Sequence, residues 1–92
     1  MNYEFNQEKN EILKKGRGIS FEDVIIAINS GNLVDKAKHK NIEKYPNQIL
    51  LFVNIKNYIY VVPCIEDKDK IFLKTIFPDR IATKKYLGGK NG

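Results

Sequence analysis

The period of apolar positions changes along this chain, and each change predicts an element. Tyr3-Glu4-Phe5 sets two aromatic residues around a charge, the alternation of a short edge strand. Asn6 stands where a helix cap belongs. The polar run from Gln7 to Lys15 carries only Ile12 and Leu13 as strong apolar residues, which predicts a thinly amphipathic helix on the surface. Gly16 is expected to stop it, with Gly16-Arg17-Gly18 as a turn.

A second helix has clearer signals. Ser20 and Asp23 make a capping-box pair, and Ile19 with Val24 suits a hydrophobic staple. Phe21, Val24, Ile25 and Ile28 recur at i, i+3, i+4 and i+7, one stripe that must bury against a sheet. Ser30-Gly31-Asn32 ends it. Leu33 to Asn47 shows neither period and reads as a polar connector, long enough to be functional.

Beyond the connector the period shortens to that of strands. Gln48 to Ile55 is nearly continuous apolar, as in a central strand covered on both faces. Lys56-Asn57 is a tight link to a partner over Tyr58–Ile65, where Pro63 predicts a bulge or an unpaired edge. Glu66-Asp67-Lys68-Asp69 is a charged turn. Lys70 to Phe77 is a third strand, with Ile71, Leu73, Thr75 and Phe77 on one face and Phe72, Lys74 and Ile76 on the other. After Pro78 a short cationic helix spans Asp79 to Leu87, and residues 88–92 read as a frayed tail. The predicted order is (β)ααβββα. It describes one α+β domain over residues 1–92, with an antiparallel sheet packed against a helical layer.

Composition narrows the chemistry. The chain has 92 residues, enough for one core and no second domain. Sixteen Lys and Arg against eleven Asp and Glu give a net charge of +5, which favours an anionic partner, nucleic acid or an acidic protein. The single cysteine, Cys64, cannot form an internal disulfide, so a reducing cytoplasm is expected. No apolar run reaches a membrane span, and the N-terminus lacks the pattern of a signal peptide.

The chain has no Cys-x-x-Cys pair, no histidine cluster and no Gly-rich nucleotide loop, so no cofactor or metal is expected. Cys64 lies inside an apolar strand and reads as packing. Glu22 and Asp23 read as residues of a helix N-terminus. What remains is cations, hydroxyls and one histidine. Cleavage of RNA without a metal needs only that set, because the ribose 2′-hydroxyl is itself the nucleophile. Arg80, at the end of a buried strand, offers a bidentate fork for phosphate, and Lys84 lies one helical turn on. His39 and Lys74 complete the candidate catalytic set. Lys15, Arg17, Lys38, Lys40, Tyr45, Tyr60 and Lys85 are the candidate RNA-binding residues, the tyrosines by stacking on bases.

Several of these pieces fall in a family order. Tyr3-Glu4-Phe5, the Asn- and Lys-rich helix, Gly18-Ile19-Ser20-Phe21-Glu22-Asp23, a His-containing loop, a strand meander and Arg80-x-Ala82-Thr83-Lys84-Lys85 together resemble the BrnT-type ribonuclease toxins of bacterial toxin–antitoxin operons. The resemblance implies a RelE-like fold and an endoribonuclease acting on free or ribosome-bound mRNA. It also implies an antitoxin partner with a ribbon-helix-helix DNA-binding domain. The chain departs from the family in two places. Lys15-Gly16-Arg17-Gly18 stands where Lys-His-Gly is usual, and Lys74-Thr75 stands where a strand arginine is common. Two readings without catalysis compete with the toxin: a basic RNA- or ribosome-binding module, and a scaffold for an acidic protein.

Overall fold

A computed structural model describes residues 2–88, so the tail expected at 88–92 lies, from 89 onward, outside the described residues. The chain forms β1 (Asn2–Phe5), α1 (Gln7–Arg17), α2 (Phe21–Asn29), β2 (Leu33–Lys38), β3 (Gln48–Ile55), β4 (Tyr58–Asp67), β5 (Lys70–Leu73), β6 (Phe77–Pro78) and α3 (Arg80–Leu87). The class is α+β, as expected. The sheet is open and mixed, ordered β1-β5-β4-β3-β2, with β6 beside β4.

Two expectations about the sheet are corrected. It is not antiparallel throughout, because β1 pairs parallel with β5, Tyr3 opposite Ile71 and Phe5 opposite Leu73. A parallel pair needs a long connection, and the helices and hairpins between these two strands supply it. The helices also do not form one layer. Leu13, Ile19, Phe21, Val24 and Ala27 from the α1–α2 region bury with Ile49, Leu51, Val53, Val62, Cys64, Ile71 and Leu73 on one sheet face. Ile59 and Val61 alternate onto the opposite face, where α3 brings buried Ala82 and sets Tyr86 against Phe52, ring centroids 5.6 Å apart.

The first helix runs two residues past its expected end. Gly16 is helical, and the stop is Gly18, whose φ of +66° is the left-handed conformation that glycine adopts without penalty. Asn6 caps this helix through Lys9 N, and Ser20 with Asp23 completes the capping box of α2. Asn10 is buried although its neighbours along α1 are polar. Its Oδ1 accepts from Phe21 N at 2.7 Å, and its Nδ2 donates to Glu22 Oε1 at 2.7 Å, which ties α1 to the start of α2. That amide contact holds the Glu22 carboxyl below its ordinary range.

Part of the supposed connector is a strand. Leu33–Lys38 pairs antiparallel with β3, with an irregularity between Leu33 and Asp35. An edge strand buries little and is protected by charges such as Asp35, Lys36 and Lys38, so its sequence carries no strong alternation. The third predicted strand is split. Pro63 turns its carbonyl towards this side, accepting from Lys74 N at 2.8 Å, but offers no N–H there. The ladder lapses between β5, which pairs with Cys64–Asp67, and β6, which pairs with Tyr60–Val61. The break changes the expected alternation, and fully buried Ile76 joins Ile71 and Leu73 in the helix-side core. Lys56 and Asn57, with φ of +53° and +64°, form the tight β3–β4 turn.

Candidate nucleic-acid interface

The break between β5 and β6 gathers cations at one border of the sheet. The orphaned carbonyl of Ile76 accepts a hydrogen bond from the Arg17 guanidinium, reaching in from the end of α1 on the helix-side face. Lys74 flanks the same break and its side chain is exposed. Four residues past Ile76, Arg80 opens α3. The extended stretch between them spans at most about 14 Å, so Arg17 and Arg80 stand on either side of one short strand.

The start of α3 is fixed locally. Asp79 caps it by accepting from Ala82 N at 2.9 Å, which turns the carboxylate towards the helix. Asp79 N donates to Ile59 O at 3.0 Å, and Ile59 N donates to Thr83 Oγ1 at 2.9 Å, so the first turn is stapled to β4. Arg80 and Lys84 are both exposed, one turn apart. The ion pairs of the described residues join Lys14 to Glu11, Lys36 to Glu66 and Lys70 to Glu4. None of them involves Arg17, Lys74, Arg80 or Lys84.

Tyr60 is close to this border. Its Cα pairs with Pro78 across β4 and β6, and its half-buried ring lies on the helix-side face, edge-on to Tyr58 at 5.9 Å. Lys15 sits in the last turn of α1, exposed and two residues before Arg17. Lys85 Nζ lies 5.1 Å above the Tyr86 ring, whose hydroxyl bonds to Asp35 on β2.

The remaining candidates form a separate group. His39 N donates to Gln48 O, and Gln48 lies opposite Ile65, near the far end of β4. Arg80 is anchored beside Ile59 near the opposite end of that strand. Six residue steps along β4, from Ile59 to Ile65, separate the two anchor points, about 20 Å, so His39 and Arg80 do not share one phosphate. His39 packs on Tyr45 at 4.5 Å, and its Nδ1 accepts from Asn41 N at 3.0 Å, so the imidazole organises its own loop. Lys38 and Lys40 flank it, and Lys44 Nζ lies 5.4 Å above the Tyr45 ring.

Cys64 is fully buried, and burial pushes its thiol up to about 12, so at neutral pH it is a packed apolar group without a thiolate. Among the described residues no group of three or more His, Cys, Asp or Glu side chains could hold a metal ion. No helix of the described residues is long and apolar enough to cross a membrane. Two site features escape a linear reading: the anchoring of Arg17 at Ile76 and the stapling role of Thr83. Pro63 is the one sequence signal for the first, since it marks where the ladder must lapse.

No family model matches the chain, and no curated protein matches it.

Proposed function

We propose that the chain is the toxin of a bacterial type II toxin–antitoxin pair, a metal-independent endoribonuclease that takes RNA across the β6 border. The observation carrying this reading is a set of cations without an ion pair among the described residues, supplied from both sheet faces, Arg17 on one side and Arg80 with Lys84 on the other, beside the Tyr58–Tyr60 ring pair. In this reading the ribose 2′-hydroxyl attacks the adjacent phosphorus, the 5′-oxygen leaves and a 2′,3′-cyclic phosphate forms. The guanidinium of Arg80 holds the non-bridging oxygens as charge builds on them, and Lys84 and Lys74 add to the field. The protons pass through groups at the border, Lys74 or the tyrosine hydroxyls, because the His39 loop is anchored about 20 Å further along β4. The antitoxin, with its ribbon-helix-helix DNA-binding domain, inhibits by laying an acidic segment over the same cations. Free RNA and ribosome-bound mRNA are both substrates of suitable charge.

The remoteness of the single histidine favours a second reading, an RNA- or ribosome-binding module without chemistry. One experiment separates them. Antitoxin-free protein is incubated with RNA in EDTA, and fragment ends and binding are followed. The toxin reading expects cyclic- or 3′-phosphate ends, activity at least tenfold lower in Arg80→Ala, and activity within twofold of the parent in His39→Ala. Intact RNA with salt-steep binding selects the module. Intact RNA without binding overturns both.

A further inference from the structure

A cleft of about 390 Å³ opens on the helix-side face, between α2 and the β3–β4 turn. Its floor includes buried Ile19 and the half-buried ring of Tyr60; its rim includes Asp23, Asn32 and Lys56. Ile26 lines the mouth, and 63% of it is exposed, a large apolar side chain left in solvent on the face that α2 shows to this opening. The volume falls in the range of small-molecule sites, and the lining mixes apolar side chains with the polar Asp23, Ser30, Asn32, Asn54 and Lys56.

The cleft adjoins the cationic border at two points. Gly18, which lines it, directly follows Arg17, whose guanidinium is anchored on Ile76. Tyr60, on its floor, pairs with Pro78, two residues before Arg80. A strand whose phosphates lie on the border therefore has a cavity beside it of a size to hold one base.

We propose that this cleft receives a single unstacked base of the bound RNA, lodged against the Tyr60 ring and read by Asp23; the inference rests on the RNA reading above. Single-stranded RNA is read in this way, by splaying a base out, stacking it on an aromatic ring and bonding its edge. Asp23 uses one lone pair of Oδ2 to accept from Ser20 N at 3.0 Å, which holds the carboxylate in place and leaves acceptor capacity on both oxygens of a residue that lines the cleft. An ionised carboxylate accepts and never donates. It selects a base edge with adjacent donors, which is the N1–H and N2–H₂ edge of guanine. Lys56 supplies a cation at the rim for the phosphate of that nucleotide.

The test is an amide NMR titration of the full chain with the four ribonucleoside 5′-monophosphates, and separately with a short single-stranded RNA containing guanine. The expected result is that GMP moves the signals of Ile26, Asn32, Lys56 and Tyr60 more than the other three nucleotides do. Ile26→Glu, at an exposed position that leaves the core intact, removes the apolar mouth and repels the phosphate and is expected to weaken the GMP response at least fivefold, and Lys56→Glu is expected to do the same. RNA that moves Arg17 and Arg80 while the cleft signals stay still overturns this inference and leaves the RNA reading standing. GMP that moves the cleft while RNA leaves the border unmoved supports the cleft and overturns the RNA reading. Equal response to all four nucleotides overturns the assignment of Asp23.

Discussion

Thr83 decides whether the cationic helix stays on the sheet, and its replacement by valine isolates that role. The hydroxyl accepts from Ile59 N at 2.9 Å and donates to Asp79 O at 2.8 Å. Valine has nearly the same shape and neither bond. The Asp79 carbonyl keeps its bond from Thr83 N at 2.9 Å, so its loss is small. The Ile59 amide loses its partner on a strand edge covered by α3, and an orphaned donor of that kind costs about 1–3 kcal/mol. For a chain of 92 residues, unfolding entropies near 2.1 cal/mol/K per residue convert 1 kcal/mol into about 5 °C, so Thr83→Val should lower Tm by about 10 °C. Thr83→Ser keeps both bonds and loses one methyl, about 0.8 kcal/mol at most. Thermal unfolding followed by far-UV circular dichroism measures both. A drop below about 3 °C for valine, or equal drops for valine and serine, would refute the bonding argument and reduce Thr83 to a space-filling residue.

Two other outcomes follow from the same bookkeeping of buried and paired groups. Asn10→Ala should cost about 2–4 kcal/mol in chemical denaturation, from the stranded Phe21 amide plus the cavity left behind, and a loss below about 1 kcal/mol would contradict its role as the α1–α2 tie. The Tyr86 hydroxyl holds the Asp35 carboxyl below its ordinary 3.8, and the same bond holds the Tyr86 phenol above its ordinary 10.0. Asp35, depressed on folding, contributes stability that is present above pH 3.8 and lost as pH falls through the folded value. Tyr86, raised on folding, contributes stability that is present below pH 10.0 and lost as pH rises through its folded value. Tyr86→Phe should therefore flatten the dependence of Tm on pH at both ends, and an unchanged profile would show that the bond does not persist in solution.

The elements that could be read from the sequence are those whose signal is local. The capping box of Ser20 and Asp23, the stripe through Phe21 and Val24, the Lys56-Asn57 turn and the bounds of β3 all follow from spacing alone, and all are observed. What escaped depends on partners far along the chain. Leu33–Lys38 is a strand because β3 presents an open edge to it, which no local period announces. Asn10 looks like one more polar residue of a surface helix until Phe21 N and Glu22 arrive to meet it. The split of the third strand was half legible: Pro63 marked a missing donor on β4, but the consequence appears on the strand beside it, where Ile76 turns into the core and its carbonyl takes Arg17. The cationic residues were legible as a class, while their grouping was not, because it depends on which end of β4 each loop meets.

That grouping changes what the charge means. A net charge of +5 spread evenly would attract any polyanion weakly, and two clusters anchored about 20 Å apart along β4 impose a spacing. Adjacent phosphates of an extended single strand are closer together than that, so one strand running from the β6 border to the His39 loop would bridge several nucleotides. Each phosphate neutralised on single-stranded RNA adds about 0.7 to the slope of log affinity against log salt. The border alone, with Arg17, Lys74, Arg80 and Lys84, accounts for a slope near 3 on that basis. A strand that also engaged Lys38, Lys40 and Lys44 would raise it to about 5. The slope thus distinguishes a short footprint at the border from a long one over the sheet, and the second footprint gives His39 and Tyr45 a place as a distal stacking platform for the same RNA rather than in its chemistry.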